Sequence, residues 1–116
     1  QVLGSWGERQ AEAFLMERGL VLVTRNYRTP YGEIDLVMQS GDQLVFIEVK
    51  TRSSINSNPP EEAVTARKQE HMLLSAQQYL EDHPDANPDW RIDVISIRGR
   101  RANRPVEIMW FEDALA

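Results

Sequence analysis

Asp35, Glu48 and Lys50 are the residues of this chain whose types and spacing fit a reaction centre. Asp35 closes the stretch GEID, and after a gap of twelve residues Glu48 and Lys50 appear in FIEVKTR, Phe46 to Arg52. FIEVK continues Gln43-Leu44-Val45 as a strand-like run, and a charge leaves water only at high cost unless it is paired or bound to metal. Two carboxylates about 4 Å apart repel by roughly 1 kcal/mol in water and about 4 kcal/mol at an effective dielectric of 20. They share a proton, splay into water or bind a cation. Hard divalent ions such as Mg²⁺ take oxygen clusters of this kind, completed by water and substrate phosphate.

The elements that must position these groups can be read from pattern. Gly4 to Arg18 reads as a helix ended by Gly19, with Ala11, Phe14 and Leu15 as its apolar stripe. Leu20–Tyr27, Glu33–Gln39 and Gln43–Lys50 read as strands, with RTPYG as a turn and Gly41-Asp42 as a two-residue hairpin loop. SSINSNPP is a polar loop leading into a long helix, about 61–81. DHPDANPD is a second loop, and Arg91–Arg98 and Val106–Phe111 complete the strands. The order αβββαββ predicts an α/β fold, a mixed sheet with helices packed on it, in one domain over residues 1–116. With Gly41-Asp42 as the turn, Ser40 lies opposite Gln43, Asp35 opposite Glu48 and Glu33 opposite Lys50. Strand alternation then projects Glu33, Asp35, Glu48 and Lys50 from one face, unless a bulge intervenes. Glu33–Lys50 would be a cross-strand ion pair.

Further candidates carry two readings each. Glu8 falls on or beside the apolar stripe of the first helix, but Ser5-Trp6-Gly7-Glu8 fits S-x-x-E, a capping box, and the residues alone favour the cap. Gln69 falls in the stripe of Thr65, Met72, Leu73, Ala76 and Leu80, where it either bonds sheet backbone or reaches the site. Lys68 flanks that stripe. Asp93, among apolar neighbours, is expected to pair with Arg91.

Composition sets the frame. The 116 residues are 41% hydrophobic and 27% charged, with no cysteine, which excludes disulfides and zinc–thiolate sites. No apolar run approaches membrane-spanning length and no signal peptide is visible, so a cytoplasmic protein without a membrane partner is expected. A net charge of −5 argues against a protein that coats nucleic acid, although arginines cluster in RGRRANR, where a solvated loop is the plainer reading.

Glu8, Asp35 and Glu48-Val49-Lys50, taken together, resemble the PD-(D/E)XK nuclease constellation on a restriction-endonuclease-like fold. More closely, the chain resembles the YraN family of bacterial proteins, related to archaeal Holliday junction resolvases. GERQAEAFLMERG, RNYRTPYGEIDLV, FIEVKTR, AVTARKQ and RIDVISI carry the likeness over most of the chain. Ile34 stands where the signature's name puts proline, a position that varies across the superfamily.

The resemblance implies metal-dependent phosphodiester hydrolysis of nucleic acid, DNA before RNA, with Mg²⁺ or Mn²⁺ as cofactor. Asp35 and Glu48 would be metal ligands with the Val49 carbonyl as a third. Lys50 would orient or help deprotonate water, and Glu8 would complete the acidic site. Arg25, Arg28, Arg52, Lys68 and Gln69 would hold the nucleic acid. Resolvases act as dimers, so a homodimer is a further expectation. The alternatives are a nucleic-acid-binding module with little or no turnover, or an adaptor for a repair or translation partner.

Overall fold

The computed structural model describes residues 2–52, 65–85, 89–99 and 106–115. Helix α1 (Val2–Glu17) is followed by β1 (Val21–Thr29), β2 (Gly32–Ser40) and β3 (Gln43–Arg52). Then come α2 (Ala66–Asp82), β4 (Trp90–Arg98) and β5 (Glu107–Phe111). The order αβββαββ is the one expected from the sequence. The strands form one mixed sheet, β1-β2-β3-β4-β5, antiparallel except for the parallel β3–β4 pair.

Each turn of the chain has a local cause. The α1 terminus closes as a Schellman motif: Leu20 N–H returns to the Leu15 carbonyl and Gly19 N–H to that of Met16, with Gly19 at φ +94°. Gly41, at φ +59°, supplies the left-handed residue of the β2–β3 loop, so Ser40 pairs with Gln43 as the two-residue turn requires. The β1–β2 connection is tighter than RTPYG suggests. Thr29 Oγ1 accepts Tyr31 N–H and donates to the Gly32 carbonyl, so both strands run up to the turn.

Helix α2 begins later than expected. Thr65 is extended (φ −73°, ψ +165°) and its hydroxyl accepts the Lys68 N–H, which makes it the N-cap. Residues 61–64, read as helix in the sequence, lie outside the described residues, as do SSINSNPP and most of RGRRANR. The buried face of α2 is Ser75, Ala76 and Tyr79, with Met72 and Leu80 of the expected stripe packed beside it, while Leu73 at its edge is 39% exposed.

The two faces of the sheet carry separate cores. Ala11 and Leu15 of α1 pack on Leu36, Met38, Val45, Ile47, Ile95 and Ile97. On the opposite face Ala76 and Tyr79 of α2 pack on Ile34, Val37, Leu44, Phe46 and Ile92. Asp93 is fully buried and held by Arg91, as expected, at 3.0 Å. It also accepts the Trp110 indole N–H and the Asp113 backbone N–H, both at 2.8 Å, which ties the end of the chain to β4. No helix among the described residues is long and apolar enough to cross a membrane.

Candidate metal and nucleic-acid site

The hairpin register is the predicted one, but its ladder runs only from Ser40–Gln43 to Leu36–Ile47. Beyond that point the alternation of β2 breaks. Leu36 belongs to the α1-side core and Ile34 to the α2-side core, although they are two apart. Asp35, beside Glu8, and Leu36 both face α1, yet the β1–β2 register is the same on either side, so the backbone twists here without inserting a residue. A matching irregularity stands opposite in β1. Arg25 bonds Glu12 and Asn26 bonds Glu8, so two consecutive residues face α1, while Tyr27 joins the α2 side. Asn26 makes this possible with φ +50°, a left-handed conformation that asparagine tolerates better than most residues. Between the Arg25–Leu36 and Tyr27–Ile34 pairs, Asn26 falls opposite Asp35, so the two kinks deliver both side chains to α1 together.

Helix α1 brings the third partner. A Cβ on Gly7 would lie 2.0 Å from Thr51 Oγ1, so only glycine lets α1 lie this close to the end of β3. That approach sets Glu8 over the kinks. Its carboxylate accepts from Asn26 Nδ2 at 2.9 Å, and Asn26 also reaches Glu33 at 3.4 Å. The capping-box reading of Glu8 is thereby corrected: α1 starts at Val2, which puts Ser5 inside the helix, and Glu8 faces the sheet.

One oxygen each from Glu8, Glu33 and Asp35 lie within 4.8 Å of one another. Like charges at that separation repel by about 3.5 kcal/mol or more per pair at an effective dielectric of 20. Burial, then the neighbouring Glu48, push the Asp35 carboxyl up to about 8, with Glu8 and Glu33 adding to the rise. The Val49 N–H, donating to Asp35 Oδ2 at 2.7 Å, opposes it. Oxygens sharing one cation at 2.0–2.6 Å stand at most about 4–5 Å apart, so the trio fits a single hard divalent ion. The site is accessible: a groove of about 530 Å³ between α1 and β1 opens beside Glu8, bordered by Arg9, Glu12, Met16 and Arg25.

By strand alternation Glu48 and Lys50 belong to the α2 face of β3, not the α1 face. Yet Glu48 acts on the Asp35 carboxyl more strongly than Glu8 or Glu33 does, so the acidic groups still meet where β2 and β3 part. Glu48 borders a small cavity with Phe46, Met72 and Ser75 beneath α2. Its carboxylate pairs with Lys50 Nζ at 3.1 Å. The expected Glu33–Lys50 pair is absent, because the kink at Asp35 turns Glu33 toward Asn26 and Arg28, whose guanidinium lies 3.6 Å away. Glu33 borders the α2-side cavity as well as the acidic trio, so the faces meet where β2 and β3 part. The Val49 N–H points into this gap, and in extended backbone its carbonyl points the same way.

The residues expected to hold nucleic acid fall into two groups. Arg25 is engaged by Glu12 in a two-pronged pair at 2.7 and 2.8 Å, and Arg28, 89% exposed, leans on Glu33. Lys68 and Arg52 stand near Lys50 and Glu48 on the α2 face. Gln69 is exposed on α2, not packed on the sheet. Sequence reasoning missed Asn26 and Gly7. An asparagine inside an apolar strand and a glycine inside a helix were the available signals, each out of place by propensity.

A sequence profile of the Uncharacterised protein family UPF0102 matches residues 7–97. A UPF0102 protein of Syntrophomonas wolfei is 45% identical over 95 residues, covering 82% of this chain and 83% of that protein. One from Chloroherpeton thalassium is 39% identical over 117 residues, covering 96% and 91%. Among solved structures, Pyrococcus furiosus SfsA in complex with Ca²⁺ is similar at 14% identity and a TM-score of 0.42, over 96% of this chain and 62% of that one.

Proposed function

This chain belongs to the UPF0102 (YraN) family, and from that premise we propose a metal-dependent nuclease that hydrolyses phosphodiester bonds in nucleic acid, DNA before RNA. The observation that supports it most is the convergence of Glu8, Glu33 and Asp35, three carboxylates from α1 and β2 whose closeness is costly unless a proton or a cation joins them. Two matched strand kinks and a glycine contact are spent on creating it, which a solvated acidic patch does not need.

The chain's own residues divide the work. Glu8, Glu33 and Asp35 would hold Mg²⁺ or Mn²⁺, with Glu48 and the Val49 carbonyl at the edge of the same gap. The ion supplies charge stabilisation and an acidified water. Asn26 fixes the orientation of Glu8 and Glu33 by donating to both. The Val49 amide fixes Asp35 and keeps β2 and β3 bridged where their ladder has ended. Lys50, held by Glu48, adds positive charge that favours the anionic backbone of the substrate. Arg28, Arg52 and Lys68 offer contacts to the backbone.

The second reading is a binding module with little turnover. The Lys50–Glu48 pair favours it, because a lysine committed to a carboxylate at 3.1 Å is less available to water. Labelled duplex, flap, splayed and four-way-junction DNA and structured RNA, incubated with Mg²⁺ or Mn²⁺, separate the two. The nuclease predicts cleavage by the wild type and its loss in Asp35→Asn. Binding with a negative salt slope and no cleavage of any substrate selects the module. No binding at all rejects both.

A further inference from the structure

Lys50, Lys68 and Arg52 lie on the face of the sheet opposite Glu8, and their arrangement is unusual on three independent counts. First, Lys50 is only 11% exposed and paired with Glu48, yet Lys68 lies within hydrogen-bonding reach of it. That contact, followed by the charge of Lys50 and burial, lowers the Lys68 pKa, with Arg52 adding to the effect and Glu48 opposing it. Three cations thus surround one carboxylate.

Second, Lys68 stands in the first turn of α2, next to Arg67, and that turn contains no acid. The N-terminal end of a helix is electropositive and favours anions, so two cations there are electrostatically misplaced unless an anion joins them. Third, Ser96 is Lys50's partner in the parallel β3–β4 register, and its neighbours Ile95 and Ile97 belong to the α1-side core. Its side chain therefore shares the α2 face with Lys50. Ser96 is fully buried, and its hydroxyl has no hydrogen-bond partner among the described residues. A buried hydroxyl without a partner is costly and marks a group awaiting one. The cluster lies at the carboxyl end of the parallel strands, where open α/β sheets bind ligands.

We infer that Lys50, Lys68, Arg52 and Ser96 form an anion subsite on the α2 face, which receives a backbone phosphate of the nucleic acid other than the one presented to the acidic trio. This rests on the nucleic-acid reading above, but needs neither a metal nor catalysis. Lys50 then serves chiefly to bind and position, together with Lys68 from the facing helix. The ligand chemistry is a phosphoryl oxyanion, which free phosphate also offers, so the test must separate the two sources.

The experiment uses the full chain in EDTA, without divalent ions. Fluorescence anisotropy follows binding of a labelled oligonucleotide across a salt series for the wild type, Lys68→Gln, Ser96→Ala and Arg18→Gln. Arg18, at the far end of α1, controls for the loss of one positive charge. The subsite predicts that Lys68→Gln weakens binding about fivefold or more and lowers the salt slope by about one, with Arg18→Gln within about twofold of wild type. Ser96→Ala is expected to weaken binding while leaving the melting temperature equal or higher, which a purely structural serine would not do.

Equal effects of Lys68→Gln and Arg18→Gln overturn the subsite, as does a wild type that fails to bind in EDTA. Lysine ammonium NMR signals, titrated with inorganic phosphate and with the oligonucleotide, distinguish the sources. Shifts at Lys50 and Lys68 with phosphate but not with the oligonucleotide overturn the backbone assignment. Lys68-dependent binding without cleavage under Mg²⁺ removes the nuclease and leaves the subsite standing. Cleavage with Lys68-independent binding does the reverse.

Discussion

Asp35 Oδ2 accepts the Val49 N–H at 2.7 Å, so a side chain of β2 closes on the backbone of β3 just past the Leu36–Ile47 end of their ladder. The carboxylate has two tasks, one structural and one electrostatic, and substitution separates them. Asparagine keeps an acceptor for Val49 and loses the charge; alanine loses both. Asp35→Asn should equal wild-type stability near pH 4 and exceed it increasingly toward pH 8, whereas Asp35→Ala should fall about 1–2 kcal/mol below Asp35→Asn by leaving the amide unpaired. Both should reduce cleavage by on the order of 10²-fold or more, since even groups that only support a metal ligand cost 10–100-fold. Urea denaturation and single-turnover rates measure the two effects.

The raised pKa of Asp35 makes stability depend on pH in an unusual direction. Its folded-state value of about 8 lies above that of the unfolded chain, about 4. Between these values the native state keeps a proton that the unfolded state has released, so the stability from this group falls as pH rises and levels off above about 8. In EDTA the melting temperature of wild type relative to Asp35→Asn should drop from pH 5 to pH 8. Cation affinity should rise over the same range, because binding must displace that proton. A difference that does not change with pH would contradict the assignment.

Gly7 tests how the first helix reaches the site. Gly7→Ala places a methyl 2.0 Å from Thr51 Oγ1 and should cost about 1–3 kcal/mol, despite alanine's better helix propensity. Thr51→Ala in the same chain should recover part of the loss by removing that oxygen. Because the approach of α1 sets Glu8, the single variant should also weaken Mn²⁺ binding, measured by calorimetry.

Asp93 is the control for a buried carboxylate with no catalytic task. It is fully buried and takes hydrogen bonds from Arg91, Trp110 and Asp113. Asp93→Ala leaves the Trp110 indole N–H and the Asp113 N–H without their acceptor, while Arg91 keeps Glu112 and Gln43, and should cost about 2–3 kcal/mol in chemical denaturation. At protein concentrations and temperatures where it remains folded, its Mn²⁺ affinity should match the wild type.

Period and turn chemistry made most of the fold legible. Alternation in Gln43–Lys50, the Gly41-Asp42 loop and the Gly19 stop are each local, and each appears in the structure. The Asp93–Arg91 pair followed from the rule that buried charge needs a partner. The candidate site was legible in its residue types but not in its faces. A kink that twists two paired strands together changes side-chain faces without altering composition or register, so Ile34 could not be seen to cross to the α2 side. Glu33 was consequently paired with Lys50 instead of Arg28 and Asn26. Ser5-x-x-Glu8 is a valid capping box in sequence, and only the helix start at Val2 removes it. In α2 the stripe of Met72, Ala76 and Leu80 was legible, but the buried face centres on Ser75, Ala76 and Tyr79, which leaves Gln69 and Leu73 exposed.

The central claim is that one divalent cation binds among Glu8, Glu33 and Asp35. Backbone amide NMR during a substoichiometric Mn²⁺ titration at pH 8 tests it most directly, because paramagnetic broadening falls steeply with distance from the ion. The amides of Glu8, Asn26, Asp35 and Val49 should broaden first, and this pattern should disappear in Asp35→Asn. Broadening that begins instead at the acidic turn of Glu112 and Asp113, or that survives in Asp35→Asn, would contradict it.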